Sequence, residues 1–147
     1  MGKGAFGNVN LGLHIATGRV VSIKSFNKLK FTGNKELNKI ENEINIWSSL
    51  RNNTVVKYFE RIETEKHILL IMEYISGGDL LTFVRRRTKL NELTAKFIFK
   101  QIVESVYYIH EQGFCHRDIK LDNILIDINN QIKVSVDCDS VNILLYN

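Results

Sequence analysis

The most constrained stretch of the sequence is Cys115-His116-Arg117-Asp118-Ile119-Lys120-Leu121-Asp122-Asn123. It brings a strong cation (Arg117), a carboxylate (Asp118), a second cation (Lys120) and a carboxamide (Asn123) into one short segment. A long apolar-rich helical pattern precedes it, and the strand-like run Ile124-Leu125-Ile126 follows. The stretch is therefore a loop held at both ends by packed elements, the setting in which reactive groups are commonly displayed. A carboxylate beside a lysine and an amide suits chemistry that accepts a proton, neutralises phosphate charge and holds a metal ion.

The rest of the composition is that of one ordinary globular domain. The chain has 147 residues, 44% of them hydrophobic and 24% charged, well inside the range for folded proteins. A net charge of +4 is too mild to point to nucleic acid. Cys115 and Cys138 form no bridge framework and lack metal-ligand spacing, so a reducing, cytoplasmic compartment is the simplest expectation. No run is long enough for a transmembrane helix, and the start lacks a basic-then-apolar leader pattern. Phe6 stands where myristoylation after Gly2 needs Ser or Thr. Proline is absent, and no physical reason for that is evident. Nothing in the sequence fixes an oligomeric state.

At the N-terminus, Gly2, Gly4, Gly7 and Val9 spell G-x-G-x-x-G-x-V. Glycines so spaced let backbone amides approach an anion closely. A dinucleotide fold needs a strand before such a loop and a helix directly after it. Here residues 9–15 and 19–26 read as two strands about a turn at Ala16-Thr17-Gly18. An ordinary glycine-rich turn explains the segment equally well. Lys24 ends the apolar run Val20-Val21-Ser22-Ile23, where a free ammonium is costly unless paired, or else reaches to water.

Leu37, Ile40, Ile44 and Trp47 recur at helical spacing, predicting a helix over residues 35–50. Glu43 falls on the flank of that stripe and wants a cation, with Lys24 and the intrahelical Lys39 as candidates. Residues 55–60 and 67–74 read as strands, with His67 a structural residue at a strand end. Ser76-Gly77-Gly78-Asp79 marks a boundary, and Asp79 is placed to cap a helix over residues 80–87 that ends in Arg85-Arg86-Arg87. A further helix starts at Asn91 or Thr94 and stops at Gly113. Its apolar residues cover more than one side, so more than one face needs a partner. Tyr107, Tyr108 and His110 on it are expected to be packing groups.

In order and spacing these elements resemble the protein kinase family. The loop from His116 to Asn123 matches the catalytic pattern His-Arg-Asp-x-x-x-x-Asn, and Val20–Lys24 resembles the V-A-I-K strand with Ser22 replacing alanine. The resemblance is nearest to serine/threonine kinases of the calcium/calmodulin- and AMP-activated types. It implies a bilobal α+β fold: a small lobe over residues 1–74 and a partial large lobe over residues 75–147. It also implies ATP and Mg²⁺ as cofactors and a protein bearing a Ser or Thr acceptor as substrate, with no nucleic-acid or membrane partner. By resemblance, Gly2, Gly4, Gly7, Val9 and Lys24 would cradle the nucleotide, and Glu43 would hold Lys24. Glu73 and Ile75 would flank the adenine through main chain, and Asp79 would touch ribose or a basic substrate residue. Asp118 would orient the hydroxyl and take its proton, Lys120 would neutralise the transferred phosphoryl group, and Asn123 would hold a metal ion.

Beyond the loop, residues 124–126 and 132–136 read as a hairpin. The family's next element is Asp-Phe-Gly, whose aspartate grips Mg²⁺. In the ungapped register Val136 occupies that place, and a one-residue slip would substitute Asp137. No activation segment follows. The expectation is an incomplete kinase domain with impaired phosphoryl transfer, or alternatively an inactive nucleotide-binding or protein-interaction module.

Overall fold

A computed structural model describes residues 8–136 and the backbone of 142–143. The glycine loop through Gly7, and Asp137, lie outside the described residues. β1 (Asn8–His14) and β2 (Arg19–Asn27) form the expected hairpin, closed by Gly18 N–H donating to His14 C=O at 2.8 Å. α1 (Asn34–Ser49) follows, then β3 (Tyr58–Glu63) and β4 (His67–Glu73). The four strands make one antiparallel sheet in the order β1-β2-β4-β3. Register aligns Val9, Lys24, Leu70 and Arg61 in a single row across all four strands, so their side chains share a face.

The strand expected over residues 55–60 starts three residues later, at Tyr58. Val55 and Val56 are instead buried against the other half of the molecule, where Val56 N–H donates to Val134 C=O at 3.0 Å. Burial of an apolar pair outweighs its strand propensity within the sheet.

α2 (Leu80–Arg87) and α3 (Glu92–Glu111) form the second half, with β5 (Phe114–Cys115), β6 (Ile124–Ile126), β7 (Ile132–Val134) and β8 (Asn142–Ile143). β6 pairs with β7, and β5 with β8. Asp79 caps α2 by accepting from Thr82 N–H at 2.7 Å, and Asn91 caps α3 by accepting from Thr94 N–H at 2.8 Å. Gly113 at φ +79° ends α3, as the left-handed position requires. No helix among the described residues is long and apolar enough to cross a membrane.

One core runs through both halves. It includes Phe26, Trp47, Ile68 and Leu70 from the sheet side and Leu80, Ile98, Ile109, Ile124 and Val134 from the other. Polar ties reinforce the seam between α3 and the hairpin: the Gln101 side chain accepts from Ile132 N–H at 3.1 Å and donates to Asn130 C=O at 3.2 Å. Tyr108 hydroxyl accepts from Arg51 N–H at 2.7 Å, so the packing role expected for it holds. α3 nevertheless leaves Leu93, Phe97, Phe99 and Val103 exposed, which matches the under-covered face expected from its sequence. Tyr107 is exposed too, so the packing role expected for it is not met, because it points off the side of α3 that the core covers.

Gly77 shows why the boundary motif needs glycine. A Cβ there would lie 2.2 Å from Ile126 C=O, against backbone that cannot swing away. Gly77→Ala is expected to cost about 1–3 kcal/mol, the usual range for overpacking, read as a lowered urea midpoint.

Candidate functional site

The sequence-selected residues fall into three groups. The first lies on the sheet. Lys24 Nζ donates to Glu43 Oε1 at 3.0 Å, and the Glu43 side chain is 0% exposed. Helical phase explains this: Ile40 and Trp47 anchor α1 on the sheet, and Glu43, between them in sequence, is carried to the same buried side. A buried carboxylate is tolerated only when paired. Of the two cations considered for Glu43, Lys24 is thus an observed partner. Its ammonium also stands 5.1 Å from the centre of the Phe26 ring, and Val9 is its cross-strand neighbour.

The second group is the segment joining the halves. Glu73 does more than mark the end of β4: its Oε2 forms an ion pair with Lys133 Nζ at 3.0 Å and accepts from Lys57 N–H at 3.2 Å. Ile75 is buried. Gly78 C=O accepts from Ile126 N–H at 2.9 Å, and Asp79 bridges to Leu125, so this segment is stitched to the β6–β7 hairpin. Both Asp79 carboxylate oxygens are engaged by Thr82, one by its N–H and one by its hydroxyl. The capping role expected for Asp79 is therefore the one present.

The third group is the polar loop. His116 is buried at its base. Its Nδ1 lies 3.3 Å from Asp118 N–H and its Nε2 lies 2.7 Å from Ser135 C=O. The carbonyl facing Nε2 calls for a ring proton there. The buried ring thereby ties the loop to the strand side of the hairpin. Arg117 is exposed and adopts φ +59°, a left-handed conformation uncommon for a side-chain-bearing residue. It turns the chain so that Asp118 N–H donates back to His116 C=O at 2.9 Å.

Asp118 and its neighbours form a closed cluster. Lys120 Nζ donates to Asp118 Oδ2 at 2.6 Å, and Asn123 Nδ2 donates to the same oxygen at 2.8 Å and to Asp118 C=O at 2.9 Å. Ser135 pins Asn123 from behind, its N–H and hydroxyl both donating to Asn123 C=O. The Lys120 hydrogen bond, with help from Asn123, holds the Asp118 carboxyl below the usual carboxylate range. At neutral pH the group is an anion and a hydrogen-bond acceptor.

Among the described residues no group of three or more His, Cys, Asp or Glu side chains is arranged to hold a metal ion. Mg²⁺ commonly takes only one or two protein oxygens and completes its shell with phosphate and water, so Asn123 beside Asp118 fits such an ion. Val136, in the register place of the family's metal aspartate, is buried at 3% exposure.

These features are a lysine paired to a helix glutamate, a linking segment and a loop with a positioned aspartate. The family model described as the protein kinase domain matches residues 1–140. The chain belongs to the protein kinase family. This kinase domain sequence is similar, at 40% identity over 135 residues and 92% of the chain, to NUAK family SNF1-like kinase 1 of Homo sapiens. NUAK family SNF1-like kinase 2 of Rattus norvegicus is similar to the same extent, as is NUAK family SNF1-like kinase 1 of Mus musculus. The kinase domain chain spans about a fifth of the length of these relatives (20%, 21% and 20%). They bear out the resemblance to the AMP-activated type of serine/threonine kinase.

Sequence reasoning missed two residues that the kinase fold puts to use. Lys133 was only one position of a strand, and its pairing with Glu73 joins residues 60 positions apart in sequence. Arg61 was likewise passed over within β3. Each is a strand cation whose partner lies on another element, which no local pattern encodes.

Proposed function

We propose that this chain forms the nucleotide-binding and catalytic-loop core of a serine/threonine protein kinase that uses Mg-ATP. The carrying observation is the 3.0 Å Lys24–Glu43 pair with its carboxylate fully buried. A cation held in place on a sheet beside Val9 is suited to the phosphates of ATP. In this reading the amides of Gly2, Gly4 and Gly7 would lie over those phosphates, and main chain at Glu73 and Ile75 would meet the adenine edge. Asp118, ionised and held by Lys120 and Asn123, would orient an acceptor hydroxyl and accept its proton late. Lys120 would then exchange its carboxylate contact for the transferred phosphoryl group. Asn123 would hold a metal ion, which when bound supplies charge neutralisation at the phosphates. A cytoplasmic location belongs to the same proposal, supported by the low cysteine content.

A second reading, a nucleotide-binding module without catalysis, is favoured by the burial of Val136 where the family's metal aspartate belongs. Thermal unfolding with ATP, with and without Mg²⁺, separates them. Binding at a hundredfold excess over Kd stabilises a protein by about 2.7 kcal/mol, a clear rise in melting temperature. The kinase reading predicts a rise that requires Mg²⁺ and disappears in Lys24→Met. A rise independent of Mg²⁺ supports the second reading, and no rise at any ATP concentration would overturn both.

A further inference from the structure

We infer that Arg61 is a positioning residue that sets the roll of α1 and thereby keeps Glu43 on Lys24. Lys24 on β2 and Arg61 on β3 stand in one cross-strand row, with fully buried Leu70 of β4 between them. Strands are spaced about 4.8 Å apart, so the two cations flank a gap of roughly 10 Å, the width of a helix. α1 lies over that gap. Glu43 meets Lys24 at 3.0 Å on one side, and Glu41 Oε1 accepts from Arg61 Nη1 at 2.5 Å on the other.

Residues two apart on a helix project about 200° apart. Glu41 and Glu43 therefore splay to opposite flanks, and a roll that releases one strains the other. Two opposed contacts define an angle that a single contact leaves open. Arg61 is itself braced, because its Nη2 donates to Glu63, which also accepts from Lys28. The Lys28 hydrogen bond, with Arg61 adding to it, holds the Glu63 carboxyl below its ordinary range, so the brace is charged at neutral pH.

The two ends of α1 show why its middle needs this. The C-terminal end is locked by Trp47, whose indole N–H donates to Val56 C=O at 2.6 Å. The N-terminal end has Gly33 as its cap residue, with no side-chain capping bond. An isolated exposed ion pair contributes little. Arg61, 26% exposed and joined to two carboxylates through separate nitrogens, gives a fixed fork rather than a loose pair. The significance of this position for nucleotide binding rests on the kinase reading above, whereas the position itself can be tested without any nucleotide.

The test is acylation of the lysines of the folded chain by acetic anhydride, read by peptide mass spectrometry. In the parent, Lys24 is shielded at 12% exposure, as is Lys133 at 15%, while Lys96 at 71% is open. Arg61→Met is expected to raise Lys24 labelling several-fold, toward the level seen in Glu43→Gln, with Lys133 still protected and Lys96 unchanged. Arg61→Lys should restore part of the protection. Glu41→Gln removes the helix-side partner without disturbing β3, and should act in the same direction even if Arg61→Met folds poorly. General loosening would raise Lys133 along with Lys24, and that result counts against the inference. Lys24 protection unchanged in folded Glu41→Gln and Arg61→Met would overturn it, whether or not the parent binds ATP.

Discussion

Replacing Trp47 with alanine is expected to lower the stability of the chain by about 3–5 kcal/mol, the range for truncating a buried aromatic. The side chain is 1% exposed and packs in the core beside Tyr58, with ring centres 5.7 Å apart. Two losses combine. The ring leaves a cavity that rigid strand neighbours cannot close, and Val56 C=O loses the indole donor at 2.6 Å. Domains of this size are stable by only about 5–15 kcal/mol, so the variant should unfold at a urea concentration more than about 1 M lower. Trp47→Phe separates the two terms, keeping most of the volume and losing the donor, with an expected cost of about 1–3 kcal/mol. A midpoint for Trp47→Ala within error of the parent would mean that α1 is not held to the sheet in this way. Because Trp47 is the sole tryptophan, the parent transition can be followed by its own fluorescence and the variants by circular dichroism.

The way Trp47 joins α1 to the rest also explains which parts of the molecule could be read from sequence. α1, α2 and α3 were legible to within a residue or two, because apolar spacing and caps at Asp79 and Asn91 are local signals. The strand at 55–60 was misplaced because its apolar doublet answers a distant demand. Val55 and Val56 fill the space beside β7, a contact spanning 79 positions of sequence, and no local pattern encodes it. The Lys24–Glu43 pair was legible as one of two options for Glu43; burial of the carboxylate on the sheet side is what brings it to Lys24. The bond between His116 and Ser135 C=O was not legible, because it depends on how the hairpin returns beneath the loop. Arg61 and Lys133 were invisible for the same reason. Each is a cation on a strand whose meaning comes from a partner on another element, Glu41 and Glu73 respectively.

The loop carries the prediction with the largest effect on activity. Asp118→Asn is expected to reduce phosphoryl transfer to a Ser/Thr peptide by about 10²–10⁴-fold, the contribution of a positioned general base, while ATP binding measured by thermal shift stays at the parent level. The amide is isosteric and keeps an oxygen for Asn123 to bond, but it cannot take a proton and no longer attracts the Lys120 ammonium, which lies 2.6 Å away in the parent. The parent rate itself is expected to be low, since Val136 is buried in the register place of the metal aspartate. A radiolabelled transfer assay is therefore the suitable readout. The pH profile follows from the sign of the shift. Lys120 holds the Asp118 carboxyl below its ordinary value, so the group is ionised throughout the neutral range and should impose no acid limb on the rate between about pH 6 and 8. Its contribution to folding runs the same way. A depressed folded-state value means stability that is present above about pH 4 and lost as pH falls through the lower folded value. With the carboxylate 43% exposed, that contribution is small. Carboxyl-carbon NMR of Asp118 should show a midpoint below that of an unfolded-chain aspartate. Robust transfer that survives Asp118→Asn would remove the loop from the chemistry, and a carboxyl titrating at or above the ordinary value would remove Lys120 as its partner.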